Sequence, residues 1–148
     1  MWKNKLDILI DKKRKYGESV NAGVSNDDLR KFSNILEKNN IKLPNEYINI
    51  LRCMNGLEFN GMILYGIDRD LYSGNENQII SGFIENNQLW HENDFLKKFA
   101  FFGEDDMNWY VYNVDRKYYE ALDKPSGWSC VKFNGFYDML DYMLNQVC

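Results

Sequence analysis

The chain predicts an α+β fold: a largely antiparallel sheet of about five strands with N-terminal helices and a C-terminal helix. Three observations carry this expectation. Apolar residues recur at helical spacing through the first third of the chain and again at its end. Between these stretches lie consecutive short runs rich in aromatic and β-branched residues, separated by turn residues. Helices and strands are therefore segregated, which distinguishes the pattern from an alternating parallel βαβ sheet.

The elements follow in order. Trp2, Leu6 and Leu9 recur at helical spacing. The basic run Lys12-Lys13-Arg14-Lys15, with Gly17 close behind, reads as a solvated helix end, where cations are favoured. Ser25 has the character of an N-cap, with Asp28 three residues on, close to a capping box. Leu29, Phe32, Ile35 and Leu36 form the apolar face of that second helix, and Asn39-Asn40 ends it. In LPNEYINILRCMNG, Pro44 marks a helix start, where its missing N–H costs nothing. Tyr47, Ile48, Leu51 and Met54 make its face, and Asn55-Gly56 tolerates the left-handed conformation that stops a helix.

The character then changes. MILYGI (62–67) is a short strand-like run, and the polar segment 68–78 reads as a loop. A short helix is expected near Phe83–Trp90. FAFFG (99–103) reads as a buried strand. WYVYNVD (109–115) and YYEALD (118–123) flank Arg116-Lys117, a hairpin signal. Asp123 to Gly127 forms a second turn into WSCVKF (128–133). Phe136, Met139, Leu140, Met143, Leu144 and Val147 then keep helical spacing.

The totals bound the function. A length of 148 residues suggests one domain, and ten Tyr, nine Phe and four Trp supply a sizeable core. No apolar run is long enough for a membrane span. MWKNKLDILIDKKRK lacks the pattern of a secretion signal, since Asp7 interrupts its apolar stretch and no small-residue cleavage site follows. A cytoplasmic location is expected. Cys53, Cys130 and Cys148 are odd in number and widely spaced, which fits no zinc or thioredoxin motif. Cys53 and Cys130 read as small buried hydrophobes, and Cys148 as a free thiol.

Charge is uneven along the chain. Residues 1–60 carry 11 Lys and Arg against 8 Asp and Glu, whereas residues 61–148 carry 7 against 14. An acidic second half argues against nucleic acid as a ligand and favours a basic protein partner.

No catalytic or metal constellation stands out, and no cofactor is expected. His91 is the single histidine, set among polar residues in LWHEND, and reads as an exposed or helix-capping residue. The stretch GEDDMNW (103–109) brings three carboxylates together: Glu104, Asp105 and Asp106. Counting from Asp105, the sixth and twelfth residues are Tyr110 and Arg116, which fails the Gly and Glu of an EF-hand loop. Adjacent side chains on an extended chain point to opposite faces, so Asp105 and Asp106 do not converge as an acid–base pair. Asn60-Gly61 and Tyr65-Gly66 lack any phosphate-binding glycine pattern and read as turns. Tyr110 and Tyr112 share a strand face, read here as core and sheet packing.

LPNEYINILRCMNGLEFNGMILYGI resembles the signature of the SUKH superfamily, which includes the yeast cell-wall assembly regulator and many bacterial toxin-immunity proteins. Leu43-Pro44, Tyr47, Leu51, Asn55-Gly56, Gly61 and Leu64-Tyr65-Gly66 carry the resemblance. FAFFGEDDMNWYVYNVD is similar to the family's segment of strand, acidic turn and strand, and the closing helix fits. The resemblance spans roughly residues 25–147, with the YrhA-like bacterial branch the nearest. Met107-Asn108-Trp109 departs from it, standing where a glycine-rich turn is common.

The resemblance implies a protein-binding role without catalysis, commonly neutralisation of a toxin domain such as a nuclease. The alternative is a regulatory scaffold for endogenous partners. On the first reading the partner-binding residues are Glu104, Asp105 and Asp106, with Trp109 and Trp128 as anchors where exposed and core where buried.

Overall fold

The computed structural model describes residues 2–74 and 80–147. Part of the expected loop 68–78, and Cys148, lie outside the described residues. The elements run α1 (Trp2–Lys15), α2 (Asn26–Lys38), α3 (Asn45–Cys53), β1 (Leu57–Phe59), β2 (Met62–Leu64), α4 (Phe83–Trp90), β3 (Phe99–Glu104), β4 (Asn108–Asn113), β5 (Tyr118–Asp123), β6 (Ser129–Phe133) and α5 (Phe136–Asn145). Short 3-10 turns at Arg69–Leu71 and Asp94–Leu96 flank α4.

The strands form one antiparallel sheet in chain order, β1 to β6. The α+β architecture is as the sequence predicts. The sheet has six strands rather than about five, because LEF pairs with MIL across the Asn60-Gly61 turn. In this meander the β1–β2, β3–β4 and β5–β6 turns lie at one end of the sheet. The start of β3 and the β4–β5 turn lie at the other.

Local signals explain the helices. The Ser25 side chain accepts a hydrogen bond from Asp28 N–H, satisfying an open donor at the start of α2. Asn40 (φ 61°) turns the chain out of α2, and Gly56 (φ 78°) does so after α3. Pro44 is extended and immediately precedes α3. Ile50, outside the expected face, is buried beside Tyr47 and Leu51.

Helices α3 and α5 pack on one side of the sheet through aromatic rings. Tyr47 and Phe136 both contact Phe102, Phe136 contacts Tyr119, and Tyr142 of α5 contacts Tyr110. On the other face Phe99, Phe101 and Trp109 cluster with Trp90. FAFFG is apolar throughout because both faces of β3 are covered.

Two sequence expectations are corrected. Cys53 and Cys130 are exposed, not buried. Tyr47, Ile50, Leu51 and Met54 fill the buried side of α3, leaving Cys53 outside it. Cys130 falls at a register shift in the edge strand β6. Lys13, expected in a solvated run, is 7% exposed and donates to Glu58 O at 2.6 Å. It follows Leu6 and Leu9 on the buried face of α1, so its stem is covered while its ammonium finds a carbonyl.

Candidate partner-binding site

The hairpin end of the sheet holds every residue singled out from the acidic stretch, and the structure gives them different work. Asp105 builds the β3–β4 turn. Its Oδ1 accepts from Met107 N–H (3.0 Å) and Asn108 N–H (2.8 Å), and its Oδ2 accepts from the Tyr110 hydroxyl. This is the local side-chain turn that aspartate favours. Burial, and then the bond to Asp105, pushes the Tyr110 pKa up, so the phenol stays a donor.

Glu104 is paired. Lys124 Nζ approaches its Oε1 at 2.9 Å, and the Tyr65 hydroxyl donates to its Oε2. Burial raises the Tyr65 pKa, and the Glu104 bond adds to it. Trp90 Nε1 in turn donates to the Tyr65 oxygen at 3.0 Å. Lys124 also donates from Nζ to Asp105 O (3.0 Å) and from its backbone to Met107 O (3.0 Å), fastening the β5–β6 turn to the β3–β4 turn. Its ammonium lies 6.0 Å and 5.9 Å from the Trp90 and Trp109 ring centres, within cation–π range.

Asp106 is the exposed carboxylate of the three. It lies against the β1–β2 turn, where a Cβ on Gly61 would meet its carboxylate at 3.3 Å. Thus one of three neighbouring acids is free to meet a partner, one is neutralised by a lysine, and one is spent on the turn.

The two tryptophans also separate. Trp109 is 5% exposed and packs on Phe101 and Trp90, so it belongs to the core. Its Nε1 is the buried side-chain nitrogen without a hydrogen-bond partner among the described residues. Trp128 is 75% exposed, with its backbone held by Ser126 Oγ and Asp123 N–H. Met107, 68% exposed, joins it at this end. Sequence reasoning placed no role on Met107; an apolar residue at a turn tip is the one signal that pointed to it.

His91 sits at the C-terminal cap of α4, and its Nε2 donates to Phe99 O at 2.6 Å. No group of three or more His, Cys, Asp or Glu side chains that could hold a metal ion occurs among the described residues. No helix among them is long and apolar enough to cross a membrane.

A family model described as SMI1-KNR4 cell-wall, of the SUKH group, matches residues 30–122. The chain belongs to the SUKH family. The match runs from α2 to β5, so it contains the acidic turn, the Asn55-Gly56 stop and the Leu64-Tyr65-Gly66 stretch. No curated protein matches the chain.

The geometry explains the SUKH signature. Asn55 is fully buried, and its Oδ1 accepts from Ile67 N–H at 2.7 Å. Gly66 lies so close that a Cβ there would stand 2.4 Å from Asn55 Oδ1. Tyr47 donates to Tyr65 O and locks α3 onto the same segment. The signature residues therefore couple α3 to the segment after β2, whose Tyr65 hydroxyl donates to Glu104 of β3.

Proposed function

We propose that this SUKH protein is a non-catalytic immunity protein that neutralises a toxin domain, such as a nuclease, by direct docking. The observation that supports this reading is the hairpin end, which presents Trp128, Met107 and Asp106 to solvent on turns fastened by Lys124. An exposed indole on a rigid base is the type of residue that anchors an interface. The free carboxylate favours approach of a basic surface. On this reading Trp128 is the anchor, Asp106 steers, and Glu104 and Asp105 shape the tip rather than touch the partner. A bacterial source, a cytoplasmic location and the YrhA-like branch belong to the same proposal.

The partner is sought by tagged pull-down from the native host with mass spectrometry at low and moderate salt, followed by rescue of cells expressing the captured domain. Asp106→Lys is then expected to slow association by about fivefold or more at low ionic strength, with little change in dissociation. An unchanged on-rate removes the acidic tip from the interface. The family description names the cell wall, which favours a second reading, a regulatory scaffold. Several weak endogenous partners and no rescue would establish that one instead.

A further inference from the structure

The opposite end of the sheet carries a groove that the hairpin-end reading does not use. It runs between the α2–α3 connection, α4, the start of β3 and the β4–β5 turn. Two clefts of about 520 and 460 Å³ share Asn40, Ile41, Ala100 and Val114 and so form one continuous depression. Its lining is largely apolar, and Val114, which borders both clefts, is 52% exposed.

The lining of this groove inverts the charge of the chain. Lys42, Lys97 and Lys117 line it, and among the described residues no aspartate or glutamate does. The whole chain has 22 acidic residues against 18 basic ones. Lys98 and Arg116 are the exposed sequence neighbours of two of these lysines. Three acids lie nearby: Asp94 pairs with Lys97 at 2.8 Å, the Glu46 charge reaches Tyr119 on one wall, and exposed Asp115 stands between Val114 and Arg116 in the β4–β5 turn. The Asp94–Lys97 pair is well exposed, so water screens it and Lys97 exchanges partners at small cost. Asn40, Asn45 and Gln88 also line the groove, and their side chains make no hydrogen bond among the described residues. They supply amide donors and acceptors of the kind that a peptide backbone uses.

We propose that this groove is a second docking surface, which takes an extended acidic peptide segment of a protein partner. Apolar side chains of the segment seat on Ile41 and Val114, and its carboxylates meet Lys42 and Lys117. The sign of the charge decides the occupant: a basic toxin surface suits Asp106 and is repelled here. The two surfaces lie at opposite ends of the sheet, so one protein can engage both kinds of partner together.

The test titrates the full chain, labelled for amide NMR, with synthetic peptides of one length. Apolar residues alternate with glutamate in the first, lysine in the second and serine in the third. The glutamate peptide is expected to bind at least about tenfold more tightly than the others, and to weaken as salt rises. Its shifts should centre on Ile41, Ala100 and Val114. The double variant Lys42→Glu/Lys117→Glu should lower that affinity at least about tenfold with an unchanged circular dichroism spectrum, since both side chains are exposed. Val114→Glu, which places a carboxylate in the lining shared by the two clefts, should do the same. Equal binding of the lysine or serine peptide, shifts centred elsewhere, or insensitivity to the lysine substitutions would overturn the proposal. So would a single-stranded oligonucleotide that binds the same residues as tightly. Self-association abolished by either Asp106→Lys or Lys42→Glu would overturn it too, assigning the groove to the acidic end of a second copy. Asp106→Lys should leave the peptide titration unchanged, so failure of the groove and failure of the hairpin-end reading are separate results.

Discussion

Asp105 and Asp106 are adjacent, identical in chemistry, and opposite in use. Asp105 accepts three hydrogen bonds that shape the turn, and Asp106 is exposed. Substitution separates the two roles. Tyr110→Phe removes the phenol that donates to Asp105 and is expected to cost about 1–2 kcal/mol. Asp106→Asn breaks no bond among the described residues and should stay within about 0.5 kcal/mol of the parent. Urea unfolding of both variants measures the difference. If the two cost the same, the Asp105–Tyr110 bond does not hold the tip. The contrast was invisible in the sequence, because which carboxylate turns inward depends on Tyr110 arriving from the next strand. The tryptophans differ for the same reason: Trp109 packs beside Phe101 on one sheet face and against Trp90 of α4, whereas Trp128 is exposed.

At the scale of elements, α4 does the work of a missing strand. β2 is three residues long and pairs only with the far part of β3, at Gly103 and Glu104. The nearer edge of β3 would be left with open backbone groups, which are costly when buried. Asn87 of α4 fills the gap: its Nδ2 donates to Phe101 O at 2.9 Å and its Oδ1 accepts from Phe101 N–H at 2.7 Å. His91 satisfies Phe99 O one turn later. Asn87→Leu keeps the volume and loses both bonds, so it is expected to destabilise the protein by about 2–4 kcal/mol, the penalty for stranding buried backbone groups. Hydrogen exchange at the Phe101 amide should accelerate with it. A loss below about 1 kcal/mol would mean that water replaces the amide. The helix itself was legible from Phe83–Trp90, as were the hairpins and the α5 pattern, because each depends on near neighbours. Its task was not, since nothing in EN-N-Q tells that one amide meets a strand fourteen residues on.

For the whole molecule, carboxylates that join distant segments set the response to acid. Asp28 in α2 accepts from Ser73 N–H (2.8 Å) and Ser73 Oγ (2.7 Å). Burial pushes its pKa up, but these bonds and the Lys31 charge together outweigh it and hold the carboxyl below its ordinary value of 3.8. A lowered folded pKa means that its stabilisation is present above about pH 4 and is lost as pH falls through the folded value. Asp68 works in the other direction. Burial raises its carboxyl despite the bonds from Glu85 N–H and Ile84 N–H that cap α4. Its contribution is present below its ordinary pKa and is lost as pH rises through the raised one. Asp28→Asn is therefore expected to lower stability at pH 7 by about 1–3 kcal/mol and to flatten the loss of stability below pH 4. Comparing urea midpoints of parent and variant from pH 7 to pH 2 isolates Asp28, because Asp68 is common to both. Parallel curves would show that the Ser73 tether carries no proton linkage.

The sequence by itself determined the α+β class, the helix boundaries at Ser25, Pro44 and Gly56, the turns that join β4, β5 and β6, and the SUKH membership. Each rests on periodicity, capping or spacing, which act over a few residues or along one motif. Tertiary structure alone decided that Lys13 is buried, that Cys53 and Cys130 are exposed, that LEF is a strand, and that one carboxylate of GEDD is free. It also decided that lysines, and among the described residues no acids, line the groove. Those outcomes depend on which surfaces meet when segments tens of residues apart are brought together. A linear pattern specifies which side of an element is apolar, whereas the partner on that side exists only in the folded chain.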